Sequence, residues 1–249
     1  RRQRQMCIRD RNYKIKISQK DEFGFLAQKF AEMITGLKER DFIRDTFGKY
    51  VTKEVARAVL SGGVQLGGEK RNVSILVTDL RDFTKMSERL PPEEVVELIN
   101  RYFKVMVDVI SKYEGTLDKY IGDSILAIYG APLDIGDHAK KAVLTGLEML
   151  EALKELNREL AEENKPAIAM GVAVNSGEVV VGNIGSEKRM EYTAIGDAVN
   201  TAVRIEGLNR EMGTEFLISE NVYSAVSDLV DAEDKSYVKL KGKQEDIRI

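Results

Sequence analysis

The sequence predicts an α+β domain: an antiparallel sheet with helices packed on one face, preceded by a helical linker and followed by a C-terminal extension. Three observations carry this. Val73-Ser-Ile-Leu-Val-Thr78 is a run of strand formers, and an amphipathic helical pattern follows it. Thr116 to Tyr129 consists of two strand-like runs folded back at Gly122-Asp123, a tight-hairpin signal. A helical pattern from about Asp137 to Glu163 then leads, past the stop Asn164-Lys-Pro166, into the apolar run Ile168-Ala-Met-Gly-Val-Ala-Val174. Strand, helix, hairpin, helix, strand is the split βαββαβ order.

Composition bounds the reading. With 249 residues, 43% hydrophobic and 32% charged, the chain can bury one sizeable core and carry an appendage. A net charge of -3 argues against a nucleic-acid partner, which would need a basic excess. The single cysteine, Cys7, excludes an intrachain disulfide, and no Cys/His cluster has zinc-ligand spacing, so the expected compartment is reducing and cytoplasmic. No apolar run approaches the roughly 18 residues of a membrane span.

Taken in order, residues 1–20 are strongly basic, with Arg1, Arg2, Arg4, Arg9, Arg11, Lys14, Lys16 and Lys20 against Asp10 alone. Two readings stay open: a juxtamembrane segment of a longer protein anchored in a membrane upstream of residue 1, or a disordered or cloning-derived start. From Asp21 the pattern turns helical, and Leu26, Phe30, Met33 and Leu37 alternate spacings of four and three, an a/d seam for a parallel partner helix. A short helix is expected over 52–60. Ser61-Gly-Gly and Leu66-Gly-Gly-Glu-Lys70 read as linker, which puts the domain boundary there and the second domain at 71–249.

Within that domain, Pro91-Pro92-Glu-Glu opens a helix whose Val95, Leu98, Ile99, Tyr102, Met106, Val109 and Ile110 form one apolar face. The hairpin follows, then the long helix with Ala142, Leu147, Leu150, Leu153 and Leu160 on its apolar positions, then the strand at 168–174. The core is therefore ferredoxin-like. The extension adds strands at Val179–Val181 and Met190–Thr193, a helix over Asp197–Arg210, a strand at Phe216–Ile218, a short helix from Ser219 and a closing strand pair around Tyr237–Leu240. Gly177, Gly182 and Gly185 precede no Lys-Ser/Thr pair, so they read as turn and bulge glycines and not as a phosphate loop.

Chemistry concentrates at strand ends. Asp79 leaves the end of the first strand and Asp123 sits at the hairpin turn, so two carboxylates on adjacent strand ends can share divalent cations. Lys119, Thr193, Asn200, Arg204 and Lys241 supply polar and cationic groups, with Asn200 and Arg204 four apart on one helix. Such a set suits phosphoryl transfer, in which cations neutralise a triphosphate and support an in-line displacement. By spacing alone, each could equally be a solvated turn residue or a surface ion pair.

Thr78-Asp-Leu-Arg-Asp-Phe-Thr84, Asp118-Lys-Tyr-Ile-Gly-Asp-Ser124, Tyr192-Thr-Ala-Ile-Gly-Asp-Ala-Val-Asn-Thr-Ala-Val-Arg204 and Leu240-Lys-Gly-Lys243 together resemble the class III nucleotide cyclase catalytic domain, in the right order from about Arg71 to the end. The resemblance implies that Asp79, Asp123 and the Leu80 carbonyl bind two divalent cations, Mg²⁺ or Mn²⁺. It implies that amides near Phe83 and Thr84 meet the β and γ phosphates and that Lys241 holds the terminal phosphates. Asn200 would orient the ribose and Arg204 would stabilise charge on the α-phosphate. Sites of this family lie between two catalytic domains, so a homodimer is implied, with the metal aspartates from one chain and the other residues from its partner.

Base choice falls to Lys119 and Thr193. An ammonium suits adenine N1 and a hydroxyl can accept from its amino group, whereas the family's guanylyl cyclases place a glutamate and usually a cysteine there. The expected substrate is ATP and the expected product 3′,5′-cyclic AMP with diphosphate; the alternatives are a guanylate cyclase and a non-catalytic nucleotide-binding module of the same fold. Threonine at 193 is similar to the subclass whose members often respond to bicarbonate. Asp82 departs from the usual glycine and is expected to face solvent. The only histidine, His138, is expected as a capping or surface residue. Ahead of the domain, Asp21-Glu-Phe-Gly-Phe-Leu26 with Phe30 and Met33 resembles the second helix of a HAMP signal-relay module, and residues 38–51 resemble the connector to an output domain, so 21–60 is expected to relay a signal.

Overall fold

The structure, a computed structural model, describes residues 21–50, 66–186, 189–239 and 246–249. The basic segment 1–20, the expected helix at 52–60, Ser61-Gly-Gly, and the predicted phosphate ligand Lys241 lie outside the described residues. Two compact units divide the chain, Arg1–Ala56 and Arg57–Ile249.

The first unit contains α1 (Glu22–Tyr50), a single helix that runs on through the predicted connector. Asp21 starts it, its Oδ1 accepting from the Gly24 amide at 3.0 Å. Leu26, Phe30 and Met33 of the predicted seam are all exposed, together with Phe23 and Phe25. Leu37 is half-buried.

The second unit is built on two long strands, β1 (Gly67–Leu80) and β4 (Met170–Ser186), paired antiparallel from Gly67↔Asn183 to Leu80↔Met170. Between them in sequence come the short α2 (Phe83–Ser87), α3 (Pro92–Lys112), the hairpin strands β2 (Thr116–Ile121) and β3 (Ser124–Tyr129), and α4 (His138–Glu162). β5 (Arg189–Ile195), α5 (Asp197–Met212), β6 (Phe216–Ile218), α6 (Glu220–Val226) and the small pair β7 (Tyr237–Val238) and β8 (Ile247–Arg248) complete the extension. The sheet order is β2-β3-β1-β4-β5, and β6 also pairs with β4, in parallel.

Alternation along β1 explains the layers. Leu76 and Leu80 point to the face covered by α3 and α4, where they meet Leu98, Tyr102, Met106, Met149 and Leu153. Val73, Ile75 and Val77 point to the opposite face, where Ala198 and Ala202 of α5 cover part of it. The two helices of the βαββαβ core thus share one face, with α6 of the extension beside them, while α5 covers the other, a second layer that the sequence reading did not assign. Two tyrosines sit fully buried in the first layer because their hydroxyls are satisfied: Tyr102 by Thr78 at 2.9 Å and Tyr129 by Thr145 at 2.8 Å.

The glycine-rich segments behave differently from their linker and turn readings. Gly67 and Gly68 begin β1, and β4 passes through Gly177 and Gly182 without interruption. The physical reason is close backbone approach. A Cβ on Gly182 would lie 2.2 Å from the Gly67 carbonyl oxygen and 2.6 Å from the Gly68 Cα. A Cβ on Gly177 would lie 3.0 Å from the Ala198 side chain, so its absence lets α5 settle on the sheet. His138 is half-buried and does more than begin α4: its Nδ1 bonds the Ser74 hydroxyl at 2.8 Å, and that hydroxyl bonds Ser176 across the β1–β4 pair at 2.6 Å. Burial lowers the imidazole's pKa below its ordinary value.

Candidate active site

The end of β1 and the β2–β3 turn come together as the sequence predicts. Gly122 takes a positive φ of 64° at the first loop position, which glycine adopts without strain, and the loop closes between Ile121 and Ser124. Asp123 then faces back toward β1: its Oδ2 accepts the Leu80 amide at 3.2 Å. Ser124, next in chain, donates its hydroxyl to Asp79 Oδ1. Asp79, Leu80 and Asp123 are therefore one cluster, tied together by main chain and a hydroxyl. Burial, and then the negative charge of Asp79, push the Asp123 carboxyl up from its ordinary range. Like charges so placed disfavour ionisation until a cation joins them, and hard carboxylate oxygens are the donors that Mg²⁺ and Mn²⁺ prefer. Among the described residues no third His, Cys, Asp or Glu completes a metal cage, so further ligands would come from main chain, water or phosphate.

Asp82 faces solvent, as expected. It adopts the left-handed region at φ 52°, ψ 25°, where glycine is at ease, and its carboxylate bridges Lys85 at 2.9 Å and Arg210 of α5 at 2.6 Å. These two cations hold its carboxyl below the usual range. Phe83 and Thr84 open α2 directly after it, and Phe83 packs on the main core.

Lys119 and Thr193 come from β2 and β5, which are not neighbours in the sheet order, and yet they meet through Asp118. Thr193 Oγ1 donates to Asp118 Oδ2 at 2.8 Å, and Lys119 Nζ lies 3.8 Å from Asp118 Oδ1 and 3.2 Å from Glu191. A bulge between Leu117 and Lys119 takes Asp118 out of the pairing with β3, which frees its side chain to reach β5. Burial pushes the Asp118 carboxyl up, opposed by the Thr193 hydroxyl, the Lys119 charge and the Ala194 amide.

Asn200 and Arg204 lie on α5, the first exposed and the second half-buried, and neither has a hydrogen-bond or ion-pair partner among the described residues. No hydrogen bond or ion pair joins the carboxylate cluster to Lys119, Thr193, Asn200 or Arg204 among those residues. The predicted site residues thus form separate groups within the chain.

A family model for the adenylate and guanylate cyclase catalytic domain matches residues 67–248. The chain belongs to this family. Solved structures of both kinds of cyclase resemble the domain. The guanylyl cyclase Cya2 is 42% identical with a TM-score of 0.68, covering 74% of this chain and 92% of that one. The adenylyl cyclase CyaB from P. aeruginosa is 32% identical with a TM-score of 0.68, covering 74% and 94%. An uncharacterized protein of Mycobacterium tuberculosis (strain ATCC 25618 / H37Rv) is 34% identical over 234 residues. That match covers 92% of this chain and 41% of the relative, so the chain spans about two fifths of the length of the curated relatives it matches. No described helix is long and apolar enough to cross a membrane.

Two acids of this cyclase domain were not singled out from sequence. Asp118 is one. The other is Glu206 on α5, 7% exposed, whose Oε1 has no hydrogen-bond partner. Burial, and then the charge of Asp79, push its carboxyl up to about 7. It fits because Gly171, the cross-strand partner of Asp79, has no side chain: a Cβ there would meet Glu206 Oε1 at 2.2 Å and the Arg81 guanidinium at 2.6 Å. A glutamate between Ile205 and Gly207 carries no sequence signal for burial. Asp118 carries none either: its burial comes from the β2 bulge, which brings it to Thr193 of β5.

Proposed function

We propose that the domain is an adenylate cyclase, converting ATP to 3′,5′-cyclic AMP and diphosphate by attack of the 3′-oxygen on the α-phosphorus. Asp79, Asp123 and the Leu80 carbonyl would hold two divalent cations, Mg²⁺ or Mn²⁺, which supply charge neutralisation on the triphosphate and acidify the 3′-hydroxyl. Amides around Phe83 and Thr84 bind the β and γ phosphates. Arg204 carries a fixed positive charge toward the α-phosphate, Asn200 orients the ribose and Lys241 holds the terminal phosphates. The observation that carries the ATP assignment is the meeting of Lys119, a donor for adenine N1, with Thr193, an acceptor for the adenine amino group, through Asp118. The active site is shared between the two chains of a homodimer, and α1 relays a signal into it from a parent protein whose membrane anchor would lie upstream.

The second reading is a guanylate cyclase, favoured by the 42% identity to Cya2. One experiment separates them: cyclic nucleotide product measured from ATP and from GTP, each with Mg²⁺ and with Mn²⁺. Cyclic AMP in clear excess supports the first reading and cyclic GMP in excess supports the second. Neither product, with no diphosphate released from either substrate by the dimer, would leave a nucleotide-binding module.

A further inference from the structure

Asp118 is a buried acid that the proposed mechanism does not use. Its side chain is 1% exposed, Oδ2 accepts the Thr193 hydroxyl at 2.8 Å, and Oδ1 is buried without a hydrogen-bond partner. The Ala194 amide lies close enough to favour the charged form of the acid. Lys119 Nζ, 3.8 Å from Oδ1, is held nearby by charge.

A hydroxyl has one proton and two lone pairs, so an unrestrained threonine can donate to a carbonyl or accept from an amine equally well. That ambivalence would make it a poor judge of purines. Adenine presents an amino donor at position 6 and guanine or hypoxanthine a carbonyl acceptor. An ionised carboxylate only accepts, so the Thr193 proton is committed to Asp118 and the hydroxyl offers only lone pairs to anything else. A 6-amino group is then matched. A 6-oxo group meets lone pair against lone pair, and a mismatch of buried polar groups discriminates strongly.

We propose, resting on the adenylate reading, that Asp118 is a specificity-determining residue: by taking the Thr193 proton it turns that hydroxyl into an obligate acceptor that selects 6-amino over 6-oxo purine nucleotides. It acts through Thr193 and need not touch the base, so it is a positioning residue. The bulge in β2 is the backbone device that lets it do so, because a regular strand would keep residue 118 in register with β3.

The test compares kcat/KM for ATP, ITP and GTP in the dimeric domain, wild type against Asp118→Asn and Asp118→Ala. ITP is the decisive substrate because it carries the 6-oxo group without the 2-amino group of GTP. An Asn amide can donate to Thr193 and release the hydroxyl proton toward the base, and Ala removes the proton acceptor altogether. The ATP-to-ITP ratio should fall at least about tenfold in both variants, with ITP turnover rising in absolute terms for Asp118→Asn. A merely structural role would lower all three substrates in parallel and leave the ratio unmoved, which overturns the inference. Should Asp118→Asn fail to fold, Asp118→Ala, which removes a buried charge, reads the same ratio. Should either fold but not turn over, the ratio is read from calorimetric binding of 3′-deoxy-ATP and 3′-deoxy-ITP with Mg²⁺. A wild type that does not prefer ATP would overturn the adenylate reading itself. A wild type that does, with variants that keep the ratio, overturns only the role of Asp118.

Discussion

Glu206 gives a prediction whose size can be worked out before any assay. Its carboxyl is raised from the ordinary 4.5 to about 7, first by burial and then by Asp79. For an acid raised on folding, the neutral form is the one the fold tolerates. Its contribution is therefore fully present below about pH 4.5 and is lost as pH climbs through about 7. At about 1.4 kcal/mol per pH unit, full ionisation costs about 3 kcal/mol relative to acid conditions. Glu206→Gln keeps the shape without the charge. It should match the wild type near pH 4.5 and exceed it by about 2 to 3 kcal/mol near pH 8.5, in urea unfolding with cations chelated. Adding Mn²⁺ should narrow the gap, because a cation at Asp79 and Asp123 removes part of the field that Glu206 opposes. A stability difference that stays flat from acid to alkaline pH would refute the reasoning, since a purely steric effect of Gln does not titrate.

Asp79→Ala or Asp123→Ala should abolish turnover while leaving the melting temperature of the metal-free protein unchanged or raised, because each removes one of two like charges; near-normal rates at saturating Mn²⁺ would show that the pair holds no catalytic cation. Leu26→Asp with Met33→Asp should weaken self-association, seen by sedimentation, and lower activity at low concentration, because charge buried in a seam without a partner costs several kcal/mol; concentration-independent activity in both proteins would remove α1 from assembly. Asp79→Ala and Arg204→Ala, each inactive alone, should recover roughly a quarter of wild-type activity when co-expressed, since about half the dimers are mixed and each mixed dimer has one intact site. No recovery in a doubly tagged heterodimer would place both residues in one chain's site.

What could be read in the sequence is what local patterns decide. The hairpin and the strand-end aspartate were legible because Gly122-Asp123 and Val73–Thr78 need only their immediate neighbours to be understood. The long extents of β1 and β4 were not, because glycines that read as linker and turn are required where the two backbones nearly touch, and that contact joins residues more than 110 positions apart. His138 was misjudged for a related reason: its partner, Ser74, is distant in sequence. Asp118 and Glu206 needed the most, since each is buried by an element that crosses the sheet or stacks upon it.

Those last two acids share a property that bears on why the fold keeps them. Each has a buried carboxylate oxygen with no hydrogen-bond partner, Oδ1 of Asp118 and Oε1 of Glu206. An unmet acceptor of this kind costs about 1 to 3 kcal/mol or more when charged, so a chain shaped for stability alone would place apolar residues there. Asp118 lies behind the proposed base-reading pair and Glu206 lies behind the carboxylate cluster. Strain of this kind persists where the surrounding structure over-determines it, and here α5, β5 and the glycine at 171 do so. Each acid thus acts on its own group: Asp118 sets the polarity of the Thr193 hydroxyl, and Glu206 shares a field of negative charge with Asp79. Replacing either should therefore move stability and activity in opposite directions, the signature of a residue kept for function.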